Sequence, residues 1–262
     1  MAKTEQQHRQ DILDVGKLIY QKGWVAANDG NLSVRLGDRI LCTCTGVSKG
    51  MMTPADLILC DLDGNKISGT RECTTEIGMH VSIYQMRPDV SAIVHAHPPV
   101  ATGFAVAGRA LNLALLPEVV VSLGCVPLAE YGLPGTPALC DGMRPYIPAY
   151  DAILLANHGS VCYGEDLYKA FFKMETVEHF ARITLVAELL GGPKVLPKQE
   201  VRKLFESRAR YRVTSRNSME PARPIVAEDL EDAEARCDPL SPARAELVNL
   251  VEEALRSRGV LT

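Results

Sequence analysis

Apolar residues near the start of the chain recur with the 3.6-residue period of an amphipathic helix. The repeat consists of Ile12, Leu13, Val15, Leu18 and Ile19. It predicts a first helix over residues 4–22 that ends at Gly23.

After this helix the apolar positions follow short, strand-like runs. These runs cover residues 32–36, 39–43 and 57–61. Turn dipeptides, Gly37-Asp38 and Asp63-Gly64, interrupt or follow them. This part of the chain is therefore predicted to be rich in β-strands joined by tight turns.

Helices and buried strands are mixed in the middle of the chain. The predicted elements are helix 77–86, strand 92–97, a short helix opening at Thr136-Pro137, strand 152–156 and helix 166–190. Thr74 and Thr75 stand before the first of these helices, where a threonine is a natural N-cap. The mixture predicts a single α/β domain.

The character of the sequence changes after Gly191-Gly192-Pro193. Prolines become frequent, residues 201–216 are strongly basic, and Ser241-Pro242 opens a predicted terminal helix with one apolar side. We predict a main domain over residues 1–200 and an extension over 201–262. A basic run of this kind is most often a solvated helix face.

Composition limits the classes of function. The 262 residues are 47% apolar and carry a net charge of −4, so no global field attracts a nucleic acid. The longest stretch free of charged side chains, 90–108, contains two histidines and two adjacent prolines and makes a poor membrane span. With no signal sequence recognisable at the start, we expect a cytoplasmic protein.

The eight cysteines form no CxxC pair, and most lie in apolar runs. This spacing predicts reduced, partly buried thiols and argues against a disulfide framework or a thiolate zinc site. A zinc ion, if the protein has one, should be held by other ligands.

Three histidines have a spacing that suits a catalytic metal. His95 and His97 lie two residues apart on a predicted strand, so both side chains point to one face. His158 follows another strand beside a glycine. Three imidazoles leave one tetrahedral position open, as in catalytic zinc sites. The alternative is that each histidine is a hydrogen-bonded core residue.

A carboxylate and two loops complete the candidate chemistry. Glu76 could move a proton beside the metal, or it could simply favour the start of its helix. Residues 28–31 and 45–50 are rich in small and hydroxyl residues, and with Thr74 and Thr75 they could surround a phosphate. Taken separately, each loop is more often only an ordinary turn.

Taken together, five blocks of sequence resemble the class II aldolase and adducin-head family. They are GWVAANDGNLSVR (23–35), CTGVSKG (44–50), CTTEIGMH (73–80), HAHPP (95–99) and LLANHG (154–159). The resemblance implies a central, nine-stranded, mainly antiparallel sheet with helices on both faces. It also implies a homotetramer whose active sites lie between subunits, and it makes residues 1–200 the catalytic domain.

The resemblance also assigns roles to individual residues. It implies that His95, His97 and His158 bind Zn²⁺ or another divalent metal and that Glu76 is the acid/base. The positions that match the phosphate site are Asn31, Thr45, Gly46, Thr74 and Thr75, with Gly30 supporting the turn. A tyrosine that the family's aldolases contribute from the neighbouring subunit is replaced by Leu128, and Tyr131 lies nearby.

The activity that this implies is zinc-dependent cleavage of a ketose 1-phosphate into dihydroxyacetone phosphate and an aldehyde. The family also contains decarboxylases of sugar-acid phosphates and aromatic acids, and 4-epimerases, which usually carry Asp at the position of Glu76. Its non-catalytic interaction modules are expected to lack the metal ligands. Lys49 would contact the substrate electrostatically at most, because no Schiff base is required.

Overall fold

The computed structural model describes residues 3–211 and 224–234 of the chain. Its helices are α1 (Glu5–Gln21), α2 (Ile77–Met86), α3 (Pro99–Val106), α4 (Pro117–Ser122), α5 (Pro137–Met143), α6 (Leu167–Leu189), α7 (Lys198–Ser207) and α8 (Ala227–Glu234), with short 3-10 helices at Pro54–Asp56 and Arg208–Tyr211. Its strands are β1 (Asn31–Leu36), β2 (Arg39–Thr43), β3 (Leu57–Asp61), β4 (Lys66–Ser68), β5 (Ala92–Ala96), β6 (Leu128–Ala129), β7 (Ala152–Leu155) and β8 (Gly159–Gly164).

The strands form one sheet in the order β4-β3-β2-β1-β5-β8-β7-β6. Every neighbouring pair is antiparallel except β6 and β7, which are parallel. The predicted α/β class and the mainly antiparallel sheet are therefore confirmed. The resemblance implied nine strands, whereas the sheet formed by the described residues has eight.

Side chains alternate between two apolar cores, one on each face of the sheet. On β5, for example, Val94 packs with α1, α3 and α6, whereas Ile93 packs with α2 and α5 on the other face. Successive strand residues point to opposite faces, so a strand buried on both faces is apolar throughout. This arrangement confirms the prediction of helices on both faces.

Helix α2 begins at the predicted residue but is not capped by a threonine side chain. Glu76 occupies the N-cap position and makes no side-chain capping bond. Thr74 lies two residues earlier, where its hydroxyl accepts a hydrogen bond from the Glu76 N–H at 3.3 Å. The threonine therefore holds the backbone of Glu76 and does not cap the helix, because it lies too far before the first turn.

The chain divides into two units, Met1–Val226 and Ala227–Thr262, and α8 is the described part of the second. Within the first unit, Val201 of α7 and Val226 share a small apolar cluster with Ala114 and Val120. The predicted boundary after residue 200 falls inside α7 and stays a prediction. The predicted terminal helix after Ser241 lies outside the described residues.

None of the helices within residues 3–211 and 224–234 has both the length and the apolarity needed to cross a bilayer.

A buried ion pair joins the end of α2 to the start of β7. The side chains of Arg87 and Asp151 are each 3% exposed, and an Arg87 Nη2 to Asp151 Oδ1 hydrogen bond measures 2.8 Å. Arg87 also donates to the carbonyls of Ile147 and Tyr150, and Lys173 of α6 donates to Asp151. These contacts fix the far end of α2 relative to the sheet.

Replacing Asp151 by alanine should lower the free energy of unfolding by about 3–5 kcal/mol, because the buried Arg87 guanidinium loses a buried counter-charge. Urea denaturation measures this difference. Asp141→Ala is the control, since Asp141 pairs with Arg144 at the surface and should cost about 0–1 kcal/mol. Equal losses in the two variants would contradict the role given to the buried pair.

Candidate active site

The end of β5 positions two of the three histidines. His95 lies opposite Asn31 of β1 and Val161 of β8, and its side chain is fully buried. Its Nδ1 lies 2.9 Å from the Ser160 carbonyl oxygen. Because a carbonyl can only accept, Nδ1 carries a proton and Nε2 faces the other histidines. His97 lies just beyond the strand, with its backbone N–H bonded to the Trp24 carbonyl.

The turn between β7 and β8 positions the third histidine. Asn157 has a φ of 55°, in the left-handed region that a tight turn requires, and His158 follows it. The three imidazole rings converge, with centroid separations of 5.1 Å for His95–His97, 4.8 Å for His95–His158 and 5.1 Å for His97–His158. One nitrogen from each ring lies within 4.8 Å of those of the other two.

Glu76 lies against this cluster from the start of α2. Its Oε2 is 3.3 Å from His95 Nε2, and its Oε1 is 3.4 Å from His158 Nε2. Asn31 Nδ2 donates a hydrogen bond of 2.8 Å to Oε2. The structure thus brings the predicted acid/base and the three predicted metal ligands into one group, in which Glu76 and His95 are buried and His97 and His158 are partly buried.

The electrostatics of the cluster depend on this contact. Burial raises the pKa of Glu76, but the charge and hydrogen bond of His95, followed by His158 and Asn31, outweigh it and hold the pKa below its usual value. Burial and the charge of His95 lower the pKa of His97 and of His158 to about 4. Both imidazoles are therefore neutral at pH 7, the form that binds metal.

The donor set fits a divalent cation. His95 Nε2 and His97 Nε2 are 3.3 Å apart, and two nitrogens at zinc-bonding distance around a tetrahedral ion are separated by about 3.3–3.4 Å. Within the described part of the chain, Glu76 Oε1 and His158 Nδ1 are buried without a hydrogen-bond partner. Asp29 Oδ2 lies 3.5 Å from His97 Nδ1 and can orient that ring as an outer ligand contact.

Two glycines allow the backbone to approach the histidines closely. A Cβ at Gly159 would lie 2.5 Å from His97 Cδ2 and 2.7 Å from the Ala96 carbonyl oxygen. Gly30 has a φ of 71°, and a Cβ there would lie 2.8 Å from the His95 carbonyl oxygen. Both positions therefore exclude a side chain, and Gly30 is placed in the turn that leads into Asn31.

Sequence analysis missed the residue that holds Asn31. His80, fully buried on α2, lies with Nε2 against Asn31 Oδ1 and with Nδ1 2.7 Å from Ser33 Oγ. Ser33 Oγ is in turn 2.8 Å from the Tyr84 hydroxyl. Burial, followed by the charge of His95, lowers the pKa of His80 to about 3, so a neutral imidazole donates from Nε2 to the Asn31 carbonyl oxygen. This series of hydrogen bonds orients the Asn31 side chain so that its amide N–H group points at Glu76.

The predicted phosphate-binding segments lie side by side. Thr45 N donates to the Glu72 carbonyl and Thr74 N to the Thr43 carbonyl, which aligns the two loops. Thr45, Gly46 and Thr75 are exposed, whereas Thr74 and Asn31 are buried. The loops thus present hydroxyl and backbone groups to solvent beside Glu76, while the amide of Asn31 is engaged with Glu76 and His80.

Lys49 and the residues near the replaced tyrosine have other environments. Lys49 is buried, and its Nζ donates to the carbonyls of Asn28 and Val47. It therefore ties two loops together, and no substrate contact is assigned to it. Leu128 lies half-buried on β6, whereas Tyr131 is 59% exposed.

Comparisons with known proteins show the family to which the chain belongs. Residues 10–185 match the family model described as the class II aldolase and adducin N-terminal domain. The chain belongs to this family. It is 32% identical over 176 residues to an L-fuculose phosphate aldolase of Methanococcus maripaludis, an alignment that covers 67% of this chain and 95% of the relative.

Two further relatives, a decarboxylase and a solved aldolase structure, extend the comparison. The chain is 34% identical over 197 residues to a 3-oxo-tetronate 4-phosphate decarboxylase of Pectobacterium atrosepticum, with 73% of this chain and 88% of the relative covered. The solved structure of an L-fuculose 1-phosphate aldolase superposes on this chain with a TM-score of 0.73 at 31% sequence identity. The superposition covers 79% of this chain and 97% of the aldolase chain. Both aldolases and a decarboxylase are therefore among its relatives.

Gly159→Ala should weaken the binding of a divalent cation, tested with Zn²⁺, by about 10–100-fold, the range seen when outer contacts of a metal ligand are lost, because the new methyl group must displace His97 or the β5 end. Competition with a chelating dye measures the affinity. Gly103→Ala is the matched control, since nothing lies within 4 Å of a Cβ there. Unchanged affinity in the Gly159 variant would show that His97 does not need this position.

Proposed function

We propose that the protein is a zinc-dependent class II aldolase that cleaves a ketose 1-phosphate, resembling fuculose 1-phosphate, into dihydroxyacetone phosphate and an aldehyde. The observation that carries the proposal is the contact of the buried Glu76 carboxylate with His95 and His158. A proton carrier beside three convergent imidazoles is what a metal-assisted carbon–carbon lyase requires. The first relatives reported above, which are named fuculose phosphate aldolases, support this class of substrate.

His95, His97 and His158 would hold the cation. When bound, it would supply Lewis-acid stabilisation of the negative charge that develops on the substrate oxygens. The chain itself contributes the fixed ring orientations, through the Ser160 carbonyl at His95 and through Asp29 at His97. Ligand rings that are fixed before binding lower the entropy lost when the site is assembled.

Glu76 would move the proton at substrate carbon C3. When the C4 hydroxyl passes its proton to the ionised Glu76 carboxylate and the C3–C4 bond breaks, the aldehyde leaves and the electron pair stays on C3. Protonation of C3 by Glu76 completes dihydroxyacetone phosphate. The Asn31 amide keeps Oε2 in place, and Oε1 accepts no hydrogen bond from a described residue.

The substrate phosphate would lie on the aligned loops. Thr45, Gly46 and Thr75 offer exposed hydroxyl and backbone groups, and Thr74 holds the Glu76 backbone beneath them. The N-terminal end of α2 adds a favourable field for an anion. Gly30 and Asn31 would support this site through the turn before β1.

A homotetramer with active sites between subunits is the proposed assembly. The second half of α6 exposes Leu185, Val186 and Leu189, and the residue that follows it, Leu190, is exposed as well. An apolar patch of this kind on a helix is typical of a protein interface. Tyr131, also exposed, could reach a neighbouring subunit's site in place of the tyrosine that Leu128 replaces.

A decarboxylase of a sugar-acid phosphate is the second candidate, favoured by the 34% identical Pectobacterium relative. A 4-epimerase is less well supported, because Glu76 stands where those enzymes usually carry Asp. A non-catalytic interaction module would not require the convergent histidines, so their presence argues against that function.

The purified protein should release dihydroxyacetone phosphate from one or more members of a panel of ketose 1-phosphates, pentulose 5-phosphates and sugar-acid phosphates. Chelation or His95→Ala should remove both bound zinc and activity, because one of three ligands is lost. Coupled assays for dihydroxyacetone phosphate, epimer and carbon dioxide identify the product. Release of carbon dioxide would establish the decarboxylase instead. Full activity in metal-free protein would refute a metal-dependent mechanism for either enzyme.

Glu76→Gln should retain zinc but lose exchange of the C3 proton of dihydroxyacetone phosphate with deuterated solvent, because an amide cannot carry the proton. Nuclear magnetic resonance follows the exchange, and metal analysis checks the zinc. Glu72→Gln is the control, since that carboxylate is exposed and pairs with Lys66. Exchange at the wild-type rate in the Glu76→Gln variant would exclude Glu76 as the proton carrier.

A further inference from the structure

A second cluster of metal-binding side chains lies next to the segment that carries Glu76. The sulfur atoms of Cys42, Cys60 and Cys73 all lie within 4.8 Å of one another, and Cys42 Sγ and Cys60 Sγ are 3.8 Å apart. Cys42 and Cys60 are fully buried, whereas Cys73 is half-buried. None of these thiols has a part in the proposed aldol chemistry.

Strand register explains how three distant thiols meet. In the β2–β3 ladder Cys42 is paired with Ile58 and Cys60 with Ile40, so the two cysteines are diagonal neighbours on one face. Cys73 reaches them because Cys44 and Cys73 form an antiparallel bridge beside the end of β2. The three sulfurs therefore come from three backbone segments held by main-chain hydrogen bonds.

The sulfur spacing suits a cation. Two thiolates bound to one zinc ion at about 2.3 Å are about 3.8–4.0 Å apart, which is close to the Cys42–Cys60 separation. Sulfur ligands select thiophilic ions, in contrast to the nitrogen ligands of the histidine cluster. The half-buried side of Cys73 provides access from solvent.

We propose that Cys42, Cys60 and Cys73 form a three-thiolate site for a thiophilic divalent cation, separate from the histidine cluster. Each thiol releases its proton to solvent as its sulfur binds, and no sulfur changes oxidation state. Cys73 directly precedes Thr74, so the bound cation ties the segment 73–76 to β2 and β3. The site thereby fixes the loop that carries Thr74, Thr75 and Glu76.

Cadmium is the probe that separates the two clusters, because thiolate ligands give an ultraviolet ligand-to-metal charge-transfer band and imidazoles do not. The reduced full-length protein, in the His95→Ala form, is titrated with Cd²⁺ in a buffer free of thiols. The band should saturate at one equivalent per chain. The thermal midpoint of the same samples should rise with cadmium.

Cys73→Ala should abolish the saturable band, and Cys73→Ser should lower it, while circular dichroism verifies that each variant is folded. Cys162→Ala is the matched control, since Cys162 is buried in the sheet outside the cluster. Cys237→Ala controls for a thiol outside the described residues. Both controls should keep the full band at one equivalent.

Absence of a saturable band in the His95→Ala protein would overturn the proposal. A band that survives in Cys73→Ala, or that disappears in Cys237→Ala, would overturn it as well. Because the readout is sulfur-specific and independent of catalysis, these results do not depend on whether the protein proves to be an aldolase.

Discussion

The pairing of β1 with β5 places Asn31 directly opposite His95, and the candidate site depends on this register. Asn31 carries the amide that orients Glu76, and His95 carries the ring that Glu76 contacts. A slip of one residue in either strand would turn its side chain to the opposite face of the sheet, into the core formed with α1, α3 and α6, and would separate Asn31 from His95. The same backbone hydrogen bonds that stabilise the sheet thus set the relative positions of the proposed metal ligand and the proposed acid/base.

Burial then gives the cluster its chemical properties. A carboxylate at 8% exposure would be costly if it were alone, and here the neighbouring imidazoles and one amide compensate for the lost water. The same burial keeps His97 and His158 neutral. Burial lowers the pKa of His95, but the charge of Glu76 outweighs it and raises that pKa above its usual value. A cation held by the three rings would therefore take the place of the His95 proton as the positive partner of the carboxylate.

The sequence was sufficient for the parts of the fold that depend on local periodicity. It predicted the start and end of α2 and most strands, and the two-residue spacing of His95 and His97 identified two histidines whose rings lie together at the end of β5. It was insufficient where distant strands decide the neighbours. His80 lies inside an apolar helix and looks like a core residue, because the partner that gives it a role, Asn31, is 49 residues away.

The cysteines also show that sequence spacing does not reveal which residues of distant strands become neighbours. The absence of a CxxC pair argued against a thiolate site, yet diagonal pairing of β2 with β3 brings Cys42 and Cys60 together. Spacing motifs detect ligands that share one loop or helix, whereas ligands contributed by neighbouring strands leave no periodic trace. The predicted helix cap at Thr74 was wrong for a local reason, because Thr74 lies too far before the first turn of α2.

Helix α2 is anchored at both ends, by Glu76 among the histidines and by Arg87 in the buried pair with Asp151. Helix α2 therefore cannot shift along its axis or move away from the sheet without breaking a buried polar contact. In the proposed reaction, any movement of the carboxylate between the cation and the substrate carbon must therefore come from rotation about the side-chain bonds of Glu76. The reach of this proposed proton carrier is then set by three torsion angles and not by a moving loop.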